Sequence, residues 1–162
     1  MESTLRQANM HLDEIEETLS NLEIAHRQIE RAIVLFLDER DYVSALTLAG
    51  AAEEILGKLL NKEGKEHWLD SISKGALKAL GFRKKELEMP EALKAKREIV
   101  NISNRHKNTF KHYNSDETIT LLVDVAAANM IDRAISNYFD LTQRETGAMG
   151  RFKELIIWGE NP

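Results

Sequence analysis

The chain has no cysteine in its 162 residues. That absence rules out zinc ribbons, redox dithiols and thiol nucleophiles. Stability is left to a hydrophobic core, which a single domain of this length can build by burying roughly 68–70% of the surface its unfolded chain exposes. Long apolar runs are missing too. Residues 32–37, Ala-Ile-Val-Leu-Phe-Leu, are among the longest, and charges interrupt the chain well short of the ~20 residues a membrane-spanning helix needs. The first six residues, Met-Glu-Ser-Thr-Leu-Arg, lack the basic, apolar and small-residue layout of a secretory signal. A cytoplasmic protein without membrane contact is expected. No Gly-rich phosphate loop, Gly-x-Ser-x-Gly elbow or dinucleotide fingerprint occurs. Neither does a β-hairpin signature, an internal repeat or a low-complexity linker, and no cofactor is expected.

Acidic residues outnumber basic ones, 27 to 22, giving a net charge of −5. The distribution matters more than the sum. Residues 74–112 hold eleven Lys/Arg against four Glu, so this segment carries +7 and the remainder −12. Such an excess is either a solvated helix face or a surface that meets phosphate.

Apolar spacing predicts an all-α chain. Leu5, Ala8, Leu12, Ile15, Leu19, Leu22, Ile29, Ile33 and Phe36 recur at intervals of three and four, which predicts one long helix over 3–38 whose seam packs on another long helix or on a second protomer. His26 interrupts the seam as a packed or rim histidine, and His11 lies off it. Glu39-Arg40-Asp41 forms the turn, with Asp41 or Ser44 capping a second helix that runs to about Asn61. Its stripe is Ala45, Leu48, Ala49, Ala52, Ile55, Leu56 and Leu59, while Gly50, Ala51 and Gly57 allow close approach of a neighbour. A short helix is expected over 67–80, with Trp68, Leu69, Ile72, Leu77 and Leu80 facing inward. Pro90 opens the next helix, since its fixed φ and missing donor suit a first turn. That helix extends to about His112, and its inner stripe of Leu93, Lys96 or Arg97, Val100 and Asn104 turns polar as it proceeds. A last major helix covers about 116–143, and the run Leu155-Ile156-Ile157-Trp158 is either a short docked helix or a segment covered by a partner.

The densest chemistry lies in residues 101–112, Asn-Ile-Ser-Asn-Arg-His-Lys-Asn-Thr-Phe-Lys-His. Residues seven apart share a helix face, so Arg105 and His112 look into one cleft with Asn101 and Asn108 near the same stripe. A guanidinium holds phosphate with two hydrogen bonds, and an imidazole exchanges protons near neutral pH. His106 and His112 are six apart rather than the four that place two zinc ligands on one face, so no metal site is expected. Glu53 and Glu54, being adjacent, diverge around their helix and make a poor catalytic pair.

Two stretches resemble the HEPN domains, helical bundles found in many prokaryotic toxins and defence proteins. Residues 41–57, Asp-Tyr-Val-Ser-Ala-Leu-Thr-Leu-Ala-Gly-Ala-Ala-Glu-Glu-Ile-Leu-Gly, look like that family's second helix, and Arg105 to His112 looks like its Arg-x(4–6)-His motif. The resemblance covers about residues 22–143. It implies an up-and-down bundle, with 1–21 as an N-terminal extension of the first long helix and 144–162 as a C-terminal tail. It also implies an RNA- or nucleotide-directed protein, acting as a metal-independent endoribonuclease of a toxin–antitoxin or defence system, with its cleft shared by two protomers. Arg105 would then clamp the scissile phosphate and His112 would move the proton, supported by His106, Asn108 and, from helix two, Glu53 or Glu54. In a second register, Lys107-Asn108-x-x-x-His112 places lysine where the family has arginine, which keeps the charge but loses the planar fork. A homodimer and a cognate antitoxin or nucleotidyltransferase-like partner follow from the same resemblance. The rival reading is a non-catalytic helical interaction protein that assembles through its N-terminal seam and docks a partner with its tail.

Overall fold

Ser20 starts the first helix. Its hydroxyl accepts from the Glu23 backbone N–H at 3.2 Å, and the Glu23 carboxylate accepts from the Ser20 N–H at 2.8 Å. This reciprocal capping box satisfies donors that a helix start leaves free. The computed structural model describes residues 14–83, 86–111, 118 and 120–156, with 106–111 described as helical backbone only. Within it, α1 spans Asn21–Val34, α2 Tyr42–Lys62, α3 Trp68–Ala79, α4 Pro90–Lys111, α5 Val123–Thr142 and α6 Gly147–Ile156. The described residues contain no strand, and the all-α expectation holds.

The single helix expected over 3–38 is corrected at its start. Residues 14–20 are not helical, Glu14 takes a left-handed φ of 41°, and Ile15 is 79% exposed instead of lying on a seam. The capping box explains the boundary, because its hydrogen bonds compete with continuation of the helix on the N-terminal side. Residues 1–13, and with them Leu5, Ala8, His11 and Leu12, lie outside the described residues. At the other end a π-helical turn, Leu35–Glu39, interrupts the α geometry and buries Leu35 and Phe36. Arg40 then takes φ 56°, and Asp41 caps α2 by accepting from Ser44 N at 3.1 Å.

Helix α2 is the central element, packing most extensively against α5 and next against α1. Its alanine-rich face, Ala45, Ala49 and Ala52 with Leu46 and Leu56, lets those neighbours come close, and Ile29, Ile33, Ile131 and Ile135 fill the space between. At the C-terminus α6 docks ahead of the expected run: Leu155 and Ile156 are exposed, and Ile157 and Trp158 lie outside the described residues. Met149 and Phe152 of α6 are fully buried in this core, with Phe152 edge-on to Phe36 at 5.6 Å.

Helices α3 and α4 pack chiefly on each other, with smaller contacts to α5 and α2 respectively. Here the expected stripes shift. Ile72 and Leu80 are exposed, while Ser73 is buried and donates its hydroxyl to the Leu69 carbonyl at 2.6 Å. On α4, Leu93 is exposed and Ala92 is fully buried. The last major helix begins at Val123 rather than 116, and Leu122 and Phe139 are exposed. None of the described helices is long and apolar enough to cross a membrane.

Candidate nucleic-acid interface

Where α3, α4 and α5 meet, the interior turns polar around one arginine. Arg133, on the core face of α5, is held by all three neighbouring elements. Its NH2 donates to Glu53 Oε1 on α2 at 2.9 Å and to Asn104 Oδ1 on α4 at 3.0 Å. Its NH1 donates to the Ser103 carbonyl at 2.9 Å, and its guanidinium lies 4.7 Å from the centre of the Trp68 ring on α3. A buried cation is tolerable only when paired and hydrogen-bonded. Glu53 supplies the charge, and the polar end of the α4 stripe supplies the acceptors.

The start of α3 is fixed from the same helix. His67 offers no side-chain cap, and Asn137 of α5 instead accepts from the Trp68 N–H at 2.8 Å, meeting one donor that the helix start leaves open. His67 turns its Nε2 toward Asp70, 3.1 Å away, and Asp70 also receives Lys96 Nζ from α4 at 3.1 Å. Asn137 and Arg133, one helical turn apart, thus anchor α3 and α4 to the bundle.

Beside Arg133 lies a cavity of about 330 Å³, walled by Trp68, Ile102, Ser103, Asn129, Asp132 and Arg133 among others. Burial raises the Asp132 carboxyl above the ordinary aspartate range, with Lys153 pulling weakly the other way. No described residue donates a hydrogen bond to that carboxylate or pairs with it.

The outer surface of α3–α4 is basic. Lys74, Lys78 and Arg83 line a groove of about 620 Å³ whose remaining wall includes Phe82 and Leu87. A second depression is lined by Leu93, Lys96, Arg97, Val100 and Asn101. Lys78, Arg83, Lys94 and Arg97 have no carboxylate partner among the described residues. Lys74 and Lys96 on the same surface are held by Glu66 and Asp70, and on the bundle proper Arg27, Arg31, Lys58, Arg151 and Lys153 are each held by a carboxylate. No group of three or more His, Asp or Glu among the described residues is arranged to hold a metal.

The residues singled out from sequence fall into three groups. Arg105 is exposed on α4, directly after Asn104, which bonds Arg133. Glu53 is buried and reaches α4 through Arg133 instead of standing free in a cleft. His106, Lys107 and Asn108 lie on the α4 backbone with side chains that are not described, and His112 lies outside the described residues. His26, the seam interruption, stacks on Tyr138 at 5.3 Å and turns Nε2 toward Glu30 at 3.6 Å, as a packed histidine does.

Arg133, Trp68 and Asp132 were not singled out as functional. One signal could have found Arg133: it sits between Met130, Ala134 and Asn137 on the helix face that α5 buries, as Glu53 sits between Ala49, Leu56 and Gly57 on α2. Two opposite charges on two core stripes must meet or be expelled. Compared with known proteins, the chain matches no family model, no curated protein and no solved structure.

Proposed function

We propose that this protein is an RNA- or nucleotide-directed helical bundle of HEPN type, which receives phosphates on the outer surface of α3–α4. The observation that carries the reading is the groove formed by Lys74, Lys78 and Arg83 around Phe82. Lys74 is paired with Glu66, but Lys78 and Arg83 have no carboxylate partner among the described residues, and cations beside an aromatic ring are what single-stranded nucleic acid requires, charge for the backbone and a π-face for a base. In a chain of net charge −5, leaving Lys78, Arg83, Lys94 and Arg97 without carboxylate partners concentrates positive potential on one unit.

In this reading Arg105, or Lys107 in the alternative register, clamps the scissile phosphate, and His112 transfers the proton in cleavage that needs no metal. Two protomers share the cleft, and a cognate antitoxin or nucleotidyltransferase-like partner restrains it in the cytoplasm. Anchoring of α4 by Arg133 supports this assignment, because a phosphate clamp on that helix is held by a rigid element. The rival reading, a non-catalytic interaction protein, draws on the exposed apolar side chains of Ile102, Leu122 and Val125.

The test is binding of a fluorescently labelled single-stranded RNA as a function of salt. Affinity is expected to fall steeply as salt rises, because each neutralised phosphate releases counterion. The Lys78→Glu/Arg83→Glu double variant is expected to bind more weakly with a shallower salt slope. Binding unaffected by both changes overturns the proposal.

A further inference from the structure

We propose that the cavity at the α3–α4–α5 junction receives one guanine base, with Asp132 accepting from its N1–H and N2–H donors and Trp68 forming the wall against its ring. This rests on the RNA- or nucleotide-directed reading and adds what that reading lacks, a means of distinguishing one base from another.

The cavity's volume of about 330 Å³ lies at the lower end of the ~300–1,000 Å³ found for small-molecule sites. That suits a single base or nucleoside. Its walls carry unmet hydrogen-bonding capacity of both kinds. Arg133 is only 3% exposed, and its Nε finds no acceptor. Asp132 is half-buried, its carboxylate has no donor among the described residues, and burial disfavours its charge. A carboxylate partly withdrawn from water, as Asp132 is, gains when a ligand supplies donors.

The ligand's chemistry follows from what the walls exclude. The Arg133 guanidinium opposes an ammonium or guanidinium guest, although Glu53 pairs with it. Asp132 opposes a phosphate or carboxylate. A neutral planar group with a donor edge remains. Among the four RNA bases, guanine alone offers two adjacent donors on its Watson–Crick edge, one for each oxygen of a carboxylate. Adenine and cytosine offer one exocyclic amine beside an acceptor, and uracil offers one N–H between two carbonyls that would face the carboxylate. Unstacked bases are commonly read in this way, by an aromatic wall and hydrogen bonds to the Watson–Crick edge. Trp68 is well fixed for the purpose, with its backbone N–H donated to the Asn137 side chain and Arg133 against its ring.

Trp68 also reports occupancy. The chain has two tryptophans, so in a Trp158→Phe background the fluorescence is that of Trp68 alone. Titration with guanosine is expected to change it saturably. Inosine, which lacks the N2 amine, should bind about tenfold more weakly, as loss of one hydrogen bond to a charged group implies. Adenosine and cytidine should not compete, and Asp132→Asn should weaken guanosine by about tenfold or more. Guanosine has no phosphate, so Lys78→Glu/Arg83→Glu should leave its binding unchanged while weakening RNA. This separates the two proposals: equal or absent responses to all nucleosides, with RNA binding intact, overturn the guanine pocket alone. Competition by putrescine in place of guanosine would make it an amine site and likewise overturn the assignment. Competition by GMP and by an oligonucleotide containing one guanine then identifies whether the base arrives free or within RNA, and either result supports the pocket.

Discussion

Glu53 on α2 and Arg133 on α5 meet at 2.9 Å with about 4% of each side chain exposed. Removing one member of such a pair leaves the other charged and buried, which typically costs about 3–5 kcal/mol. Glu53→Ala and Arg133→Met are each expected to destabilise by roughly this amount in urea denaturation. The double variant Glu53→Leu/Arg133→Met should lose less than the sum of the single effects, because the two charges leave together. Arg133→Lys should not restore stability, since one ammonium cannot reproduce the planar fork that reaches Ser103, Glu53 and Asn104.

Gly57 separates α2 from the ring of His67. A methyl group placed there would lie 3.8 Å from that ring, an ordinary van der Waals contact. Close packing therefore does not forbid alanine at this position. Gly57→Ala is expected to stabilise the protein by about 1 kcal/mol, the difference in helix propensity, measured as a higher urea midpoint. Gly57→Leu should reverse the sign by displacing His67 and with it the contact to Asp70.

Asp132 should impose a pH dependence of its own. Its folded-state carboxyl titrates above the ordinary aspartate range because of burial, so the folded chain holds this proton more firmly than the unfolded chain does. The resulting stabilisation is complete below the unfolded pKa and is lost as pH rises through the raised folded value. Asp132→Asn is therefore expected to be more stable than the parent chain at neutral pH. That advantage should shrink as pH falls into the ordinary aspartate range. Thermal denaturation across pH 3–8 checks it, and a constant difference between the two proteins would show that Asp132 does not carry the effect.

Much of the architecture was legible because α2 and the core side of α5 repeat apolar residues at helical spacing, and the turn between α1 and α2 is spelled by Asp41 with Ser44. The first helix was misread for a physical reason. Its apolar spacing continues backward through Leu19 and Ile15, but Ser20-Asn21-Leu22-Glu23 encodes a start, and a local capping box outweighs periodicity that has no packing partner. On α4, the polar end of the stripe correctly marked Asn104 as exceptional. Its partner could not be read locally, because Arg133 lies 29 residues away on a helix whose other inward residues, Asn137 excepted, are apolar. Asp132 carried even less signal, since a single acid beside an arginine resembles a solvated pair until the intervening cavity is known.

The chemistry assigned to His112 is the most demanding expectation, and it is settled by products. Residues 101–112 contain two imidazoles, an arginine and two lysines and no carboxylate, a composition suited to proton transfer and phosphate binding rather than to holding Mg²⁺. In internal cleavage the ribose 2′-oxygen bonds to phosphorus as its proton passes to a base, and the 5′-oxygen departs with a proton from an acid, leaving a 2′,3′-cyclic phosphate and a 5′-hydroxyl. Cleavage of a defined RNA should therefore persist in EDTA and yield those ends. Loss of a general acid or base typically slows a reaction by ~10²–10⁴-fold, so His112→Ala should fall by that factor with its helical circular dichroism unchanged. Arg105→Ala and Lys107→Ala, made singly, should differ, because only the residue that clamps phosphate should show a comparable loss. Full activity in His112→Ala, or a strict requirement for Mg²⁺, would remove catalysis from the proposal and leave a protein that binds RNA through α3–α4 without cutting it.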